Sequence, residues 1–429
     1  MPSTSSSVRI PPGLWRDRDF RRLWLGQTAS QLGEQASLVV LPLFAVLTLG
    51  IGAGQLGVLR AVEQAPILLL SLFVGAWVDR WRTRTVMVVA DAGRTLVLGT
   101  AVVAGVLNWL GLPALFVVVF AAGVLSVFFD MAYQASLVRL VTQDQLVRGN
   151  SVLEGSRSAA QIGGPALGGA LVTLLSAPVA IASSALFFAL SFLSVRRIRR
   201  TESVPARSEG PPRVGRRIFD GLRFVVGDCL LRAVCLAAAA FQFFFAAMMT
   251  VYLLFLPREL HLSGTAVGLA LAATGPGALV GALLAARLPG RFGYGTVIVG
   301  AAALGDGVFL CVPALHGSSA ATMPVLLAVN FVFGISGQLV NVTVMAVRQA
   351  VTPHGMQGRS AATINVAGMG SAPLGSLLGG LLAQEWGLRA GLLVAAGGMV
   401  LSPVVMALSP LARLGRDLHA LARDRSAAE

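Results

Sequence analysis

Residues 54–84 read GQLGVLRAVEQAPILLLSLFVGAWVDRWRTR. The apolar part, 54–78, is long enough to cross the ~30 Å hydrocarbon core of a bilayer as a helix. It ends in a turn that carries Arg80, Arg82 and Arg84. The same pattern recurs outward in both directions. Apolar segments fall at 23–49, 54–78, 85–107, 112–138, 151–175 and 177–195. After a polar, proline-containing stretch from 196 to 223 they resume at 230–256, 264–286, 294–315, 321–347, 360–384 and 388–410. The pattern predicts an all-α integral membrane protein with 12 transmembrane helices in two pseudo-symmetric six-helix bundles. The expected divisions are a tail at 1–22, bundles at 23–195 and 230–410, a basic linker at 196–229 and a second tail at 411–429.

Composition supports this. The 429 residues are 55% hydrophobic and only 12% charged, with a mean hydropathy of +0.78. A water-facing domain carries about 25% charged residues. A soluble enzyme, a secreted disulfide scaffold and a disordered chain are excluded. All 33 basic residues are arginine; without lysine there is no P-loop and no pyridoxal Schiff base. Four scattered histidines have no metal-ligand spacing, so neither metal nor cofactor is expected. Cys229, Cys235 and Cys311 lie in apolar stretches and are expected to be buried and unbridged.

Placement explains the net charge of +14. Twenty-seven of the 33 arginines fall in the tails and even-numbered loops, and two fall in the odd-numbered loops. This positive-inside bias puts both termini and the linker in the cytoplasm and makes the charge topogenic, not a nucleic-acid surface. Residues 1–22 have no apolar core and read as a tail, not a signal peptide.

The halves echo each other. GQLGVLRAVEQAP (54–66) pairs with GTAVGLALAATGP (264–276), Arg139–Thr142 with Arg348–Thr352, and Gly149 with Gly358. Pro165 with Gly168 and Gly169 pairs with Pro373 and Gly375. Two parallel halves around a midplane site is the geometry of alternating access.

The turn at 75–84 resembles the loop signature of the major facilitator superfamily, G-x-x-x-D-R-x-G-R-R/K. Gly75, Asp79, Arg80 and Arg84 match it, while Arg82 and Thr83 depart from it. The resemblance implies a latch on the cytoplasmic side; a topogenic basic turn is the plainer alternative. GGPALGG (163–169), with Gly164, Pro165, Gly168 and Gly169, resembles the G-P-x-x-G-G signature of antiporters in that superfamily. It implies export over import, or else only close helix packing. FFDMAYQASL (128–137) and GQTASQLG (26–33) resemble the branch containing macrolide-efflux and enterobactin-export proteins. That branch implies proton-driven export of small amphipathic molecules. The arginine that many superfamily members carry in mid-span four is missing here.

Ionisable groups inside spans each cost roughly 2.5–3.5 kcal/mol unless paired or hydrated. Gln27, Gln31 and Glu34 follow i, i+4, i+7, and Glu34 lies near mid-membrane, ~18 Å beyond Arg22 along a helix. Arg60, Glu63 and Gln64 cluster on span two. Glu34 or Glu63 is the expected proton-coupling carboxylate, unless Arg60 holds a permanent salt bridge. Asp91, Arg94, Asp130, Glu154 and Arg157 lie nearer the cytoplasm and read as gate and inter-helix ion pairs. Asp306 either attracts a cation or bonds a neighbouring helix. Gln27, Gln31, Gln64, Tyr133, Gln242, Tyr252, Asn330, Gln338 and Asn341 are the polar cavity candidates, with the Phe241–Phe245 run as apolar surface.

GAGQLG (52–57) fits a dinucleotide fingerprint but has no preceding strand, and the sequon at Asn341 lies at membrane depth. No nucleophile–base pair suggests an enzyme. The expected protein exports a small hydrophobic or amphipathic compound by proton antiport. It acts as a monomer in the inner (cytoplasmic) membrane, and its partners are substrate, protons and lipid. Proton-coupled uptake, or a non-transporting scaffold or sensor with the same fold, are the alternatives.

Overall fold

A computed structural model describes residues 14–78, 81–140, 143–175, 177–199, 214–317, 319, 321–353 and 356–416. Every described element is helical. In lipid a helix satisfies its own backbone polar groups, which is why the long apolar stretches take this form. The first half contains α1 (Arg18–Leu47), α2 (Ala53–Val78), α3 (Thr83–Val106), α4 (Leu112–Leu140), α5 (Gln143–Leu174) and α6 (Ala177–Arg196). Within the stretch expected as linker lies a helix, α7 (Val214–Gly227), packed against the start of α14 (Gln357–Met399).

The second half contains α8 (Cys229–Arg258), α9 (Gly264–Ala272), α10 (Thr274–Ala285), α11 (Leu288–Phe292), α12 (Tyr294–Gly307) and α13 (Thr322–Val351). It closes with α14 and α15 (Leu401–Leu408). Gly387, at φ +85°, breaks α14 where one apolar segment was expected to end and the next to begin. Among the described residues, nine helical stretches have the length and composition to cross a bilayer, counting 264–285 and 359–408 as one each. Asp17 caps α1 by accepting from the backbone of Asp19 and Phe20, and Asp228 caps α8 by accepting from Leu230 and Leu231. The cysteines depart from expectation. Cys229 and Cys311 are exposed on the outer face of the fold and Cys235 is half-buried.

Among the described residues, the halves join from the arginine-poor end inward, as far as Leu68 against Gly370. At the arginine-poor end, one core unites Val39 and Leu43 with Met248, Tyr252 and Phe255, and another takes Leu254 in among α1–α6 side chains. At the opposite, arginine-rich end each half keeps its own core, one drawn from Leu14–Ile198 and one from Val225–Leu414. Among the described residues, the hydrogen bonds that cross between halves share that one end. Gln64 Nε2 donates to Ser376 Oγ (3.0 Å), Thr265 N to Thr173 Oγ1 (2.6 Å) and Arg258 Nη2 to Ile51 O (2.7 Å).

Glycines make the approach possible. A Cβ on Gly57 would stand 2.7 Å from Ser376 O and 2.9 Å from Gly380 Cα, and one on Gly268 would stand 2.6 Å from Pro165 O. Gly164 and Gly168 of α5 press on α1, and Gly169 presses on α9 across the seam. Gly375 and Gly379 of α14 press likewise on α8, and Gly380 presses on α2. The structural repeat therefore has one constant offset of 211, carrying 164 to 375, 169 to 380 and 57 to 268 alike. This corrects the expected pairing of Gly168 and Gly169 with Gly375: Gly375 is the counterpart of Gly164.

Leucine at Gly380 is expected to prevent full closure, because its Cβ alone would sit 2.8 Å from Ala53 O. Overpacking costs about 1–3 kcal/mol, or roughly 5–150-fold in the closed population. The reporter is a cysteine at Ser376, now fully buried, in a background without the native cysteines. Gly380→Leu should speed its labelling by a membrane-impermeant maleimide; an unchanged rate would refute the role of the glycine seam.

Candidate functional site

The polar face expected on α1 is built and lies inside the protein. Gln27 is fully buried and Gln31 nearly so, while Glu34 is half-buried. Both amide atoms of Gln27 and Oε2 of Glu34 are sealed from solvent without a hydrogen-bond partner among the described residues. Asp130, Arg94, Arg157 and Glu63 all act on Glu34 electrostatically, so α2, α3, α4 and α5 contribute its charged surroundings. An unsatisfied buried polar group costs about 1–3 kcal/mol.

Glu63 differs. Arg60 Nη1 donates to Glu63 Oε2 at 2.8 Å, and the two side chains are only 13% and 12% exposed. Arg60 therefore neutralises its own i+3 neighbour and not Glu34. Gln64, next along, bonds across the seam to Ser376.

Asp91 and Arg94 form a fully buried ion pair on α3. Arg94 also donates to Ser30 Oγ of α1 (2.9 Å) and Ser126 Oγ of α4 (3.2 Å), and Ser191 Oγ of α6 donates to Asp91 Oδ2 (2.5 Å). The guanidinium lies 4.5 Å from the Phe129 ring centroid and 4.2 Å from that of Phe188. Four helices are thus tied at one buried point. The expected inter-helix ion pair lies instead within α3, at i, i+3, and the links between helices are made by three serines, small residues scattered over three other helices.

Asp130, Glu154 and Arg157 do not close into pairs among the described residues. Asp130 is half-buried within reach of the fields of Arg94 and Arg157. Glu154 and Arg157 are exposed, and Tyr133 stands near them and Asp130. Of the loop motif, Asp79 and Arg80 lie outside the described residues. Gly75 lies in the last turns of α2, and Arg84 Nη2 donates to Arg196 O (2.6 Å), joining α3 to α6.

In the second half, Asp306 of α12 is 4% exposed, its Oδ2 has no partner and no charged side chain acts on it among the described residues. Nearby in the same bundle runs an aromatic wall. Phe241 stacks on Phe245 (5.4 Å), Phe245 on Phe333 (5.5 Å), and Phe309 meets Phe333 edge-on (5.1 Å). Tyr252 and Asn330 stand apart from any open surface: Asn330 Nδ2 donates to the Tyr252 hydroxyl (2.9 Å) in a closed core. Gln242 packs beside Gly368 and Gln338 beside Gly281, both half-buried, while Asn341 is exposed. No group of three or more metal-ligating side chains exists among the described residues.

The comparisons with known proteins give the family and the fold. Residues 13–426 match the family model described as transmembrane secretion effector. The multidrug efflux pump Tap of Mycobacterium tuberculosis (strain ATCC 25618 / H37Rv) is 28% identical over 406 residues, covering 89% of this chain and 91% of that protein. The Tap pump of Mycolicibacterium fortuitum is 27% identical over 404 residues, covering 87% and 96%. Among solved structures, a bacterial homologue of the iron transporter ferroportin in its inward-facing state superposes with a TM-score of 0.73 at 19% identity, covering 92% of this chain and 98% of that one. The nucleoside transporter NupG superposes with a TM-score of 0.73 at 12% identity, covering 90% and 98%.

Proposed function

The chain belongs to the transmembrane secretion effector family of major facilitator transporters, and from that premise we propose that it exports a small hydrophobic or amphipathic compound by proton antiport. It is a multi-pass membrane transporter. In the proposed topology it crosses the bacterial cytoplasmic membrane twelve times, with α14 and α15 providing two crossings broken at Gly387, and both termini lie inside. It works as a monomer.

One observation carries the reading: Glu34 Oε2 is sealed and without a partner among the described residues, whereas Glu63 and Asp91 are each paired with an arginine of their own helix. In the proposed topology the arginine-poor end, where the halves join, faces outward, and the state described opens to the cytoplasm. In the proposed cycle, substrate enters from inside and lies between the α1 amides and the Phe241–Phe245–Phe333 wall. The glycine seam opens, a proton from outside occupies Glu34 and frees the substrate, and the proton leaves inward as the next substrate binds. One charge moving through 100 mV is worth about 2.3 kcal/mol, and one pH unit adds about 1.4 kcal/mol. One proton per cycle therefore supports concentrative export of a few hundred-fold.

The test is substrate-triggered proton movement in proteoliposomes under an imposed pH gradient, with macrolides, siderophores and lipophilic cations as the panel. A compound that discharges the gradient only when protein is present supports the reading. If labelled compounds undergo net transport across the membrane with no proton movement, proton coupling is wrong. Asp306 gives a narrower expectation. Asp306→Asn should lower transport of lipophilic cations about tenfold, the effect of removing one partly desolvated charge, and leave neutral macrolides unchanged. An equal loss for both classes would make Asp306 structural.

A further inference from the structure

We propose that α7 lies in the cytoplasmic interface of the bilayer, with Phe219, Leu222 and Val226 set among the acyl chains of the inner leaflet. Its contacts give its direction. Along α8 and α14 the facing residues keep an offset of 132: Ser371 Oγ donates to Ala239 O (2.9 Å), and a Cβ on Gly375 or Gly379 would meet Phe243 O or Ala247 O. Had α7 continued the line of α8, that offset would set Gly221 level with residue 353. Instead a Cβ on Gly221 would stand 2.8 Å from Thr363 Oγ1 and 3.1 Å from Arg359 O. Gly221 is thus level with residues 227–231 of α8, so the chain gains almost nothing along that axis between 221 and 228. The break falls at Asp228, whose extended backbone (φ −94°, ψ 122°) starts α8 afresh. The 14 residues of α7, about 21 Å long, therefore run across the line of α8. They do so at the depth where two candidate spans, Cys229–Arg258 and Arg359–Leu408, begin. A helix at that depth and in that direction lies in the plane of the interface.

The sectors of α7 suit that position in order. Gly221 and Val225 are buried against the protein, Val225 in one core with Leu230, Val347 and Ile364. Phe219, Leu222 and Val226 are 62%, 48% and 51% exposed. At ~100° per residue these three share about 60° of arc, beside the buried sector. Positions Arg216, Arg217, Asp220 and Arg223 follow by register on the far side of them. Protein, acyl chain and headgroup are met in turn around one helix. A basic sector beside an aromatic and aliphatic stripe is what binds an anionic leaflet surface. The stripe also runs on into the outer face of α8. Arg232, exposed, donates to Val226 O (3.4 Å), and Cys229 and Leu236, seven residues apart, are exposed on that face. Through Gly221 the same helix presses on the first turns of α14, which moors the second half to the inner leaflet. The choice of leaflet rests on the proposed topology.

The experiment is a nitroxide scan of positions 219, 222, 223, 226 and 227 in the full-length protein, without its native cysteines, in nanodiscs of phosphatidylglycerol and phosphatidylcholine. All five positions are exposed, so the labels leave the packing intact. At 219, 222 and 226, collisions with oxygen should exceed those with a polar nickel chelate several-fold, placing these labels about 5–10 Å into the headgroup–acyl boundary. At 223 and 227 the chelate should win. Equal access of the chelate to all five positions would put α7 in water and overturn the proposal. Protection of 219, 222 and 226 from both reagents, with dipolar broadening between labels, would make the stripe a contact between two copies and overturn it as well. A cysteine at position 227 reads the leaflet separately, by a membrane-impermeant maleimide. Labelling only after lysis supports the cytoplasmic side; labelling in intact cells would overturn that side and the proposed topology with it, whatever the depth.

Discussion

Proteoliposomes carrying Glu34→Gln are expected to show no substrate-triggered proton movement above the leak of empty vesicles, with folded protein recovered in normal yield. Glutamine keeps the shape and the hydrogen-bonding capacity of the side chain but cannot gain or lose a proton. Because Glu34 Oε2 has no partner among the described residues, the change breaks no observed bond. A structural role would therefore predict little effect, and the coupling role predicts a complete one. Counterflow of labelled substrate, which needs no net proton transfer, should persist in the variant. Glu63→Gln is the matched control. It removes the 2.8 Å pair with Arg60 and leaves a cation in an apolar setting, so it should reduce yield before it reduces coupling. If Glu34→Gln retains the wild-type proton response, Glu34 is not the coupling site, and Asp306 becomes the carboxylate to test.

Alanine at Arg94 should have the largest effect on stability. Removing one member of a fully buried pair leaves its partner charged and uncompensated, a loss of about 3–5 kcal/mol. Against a typical total of about 5–15 kcal/mol, that is enough to remove most folded protein from the membrane at growth temperature. The variant also frees Ser30 and Ser126 and leaves Phe129 and Phe188 without the guanidinium between them. Fluorescence-detected size-exclusion chromatography after a heat ramp would read this out. Asp91→Asn together with Arg94→Met should recover much of the loss, because no charge is then left unpaired. If the single and double variants melt alike, the ion pair is not what holds α1, α3, α4 and α6 together.

Much of the architecture was legible because lipid imposes two readable constraints: a minimum apolar length and an arginine asymmetry. Gly387 is a fair example, since its break falls where the apolar segments at 360–384 and 388–410 were expected to separate. Helix α7 was missed because residues 214–227 carry an amphipathic pattern among arginines and prolines, which reads as linker composition. In the site, the α1 face Gln27–Gln31–Glu34 and the Arg60–Glu63 neighbours were visible, because i, i+3 and i, i+4 spacing fixes a helix face; that Asp91 and Arg94 pair within α3 and not between helices was not. Which carboxylate Arg60 serves was not visible. That depends on whether a side chain turns along its own helix or across a gap, and spacing alone cannot tell. Tyr252 and Asn330 illustrate the same limit: each suits a cavity wall, and each instead satisfies the other inside a closed core.

The offset of 211 that relates the two halves also shows where they have diverged. Carried along the chain, it sets Gln31 opposite Gln242, but Glu34 opposite Phe245. Asp91 and Arg94 face Ala302 and Gly305, and Asp130 faces Asn341. One scaffold, built twice, has thus been filled with acid and guanidinium in the first copy and with phenyl rings in the second. The symmetry is kept at the glycines, where both copies must close the same seam, and broken where chemistry differs. In the proposed cycle the first repeat thus carries the coupling carboxylate and the second the aromatic wall. A graft that restores the symmetry, with Phe245→Glu or Glu34→Phe, would leave the molecule with two copies of one task and none of the other.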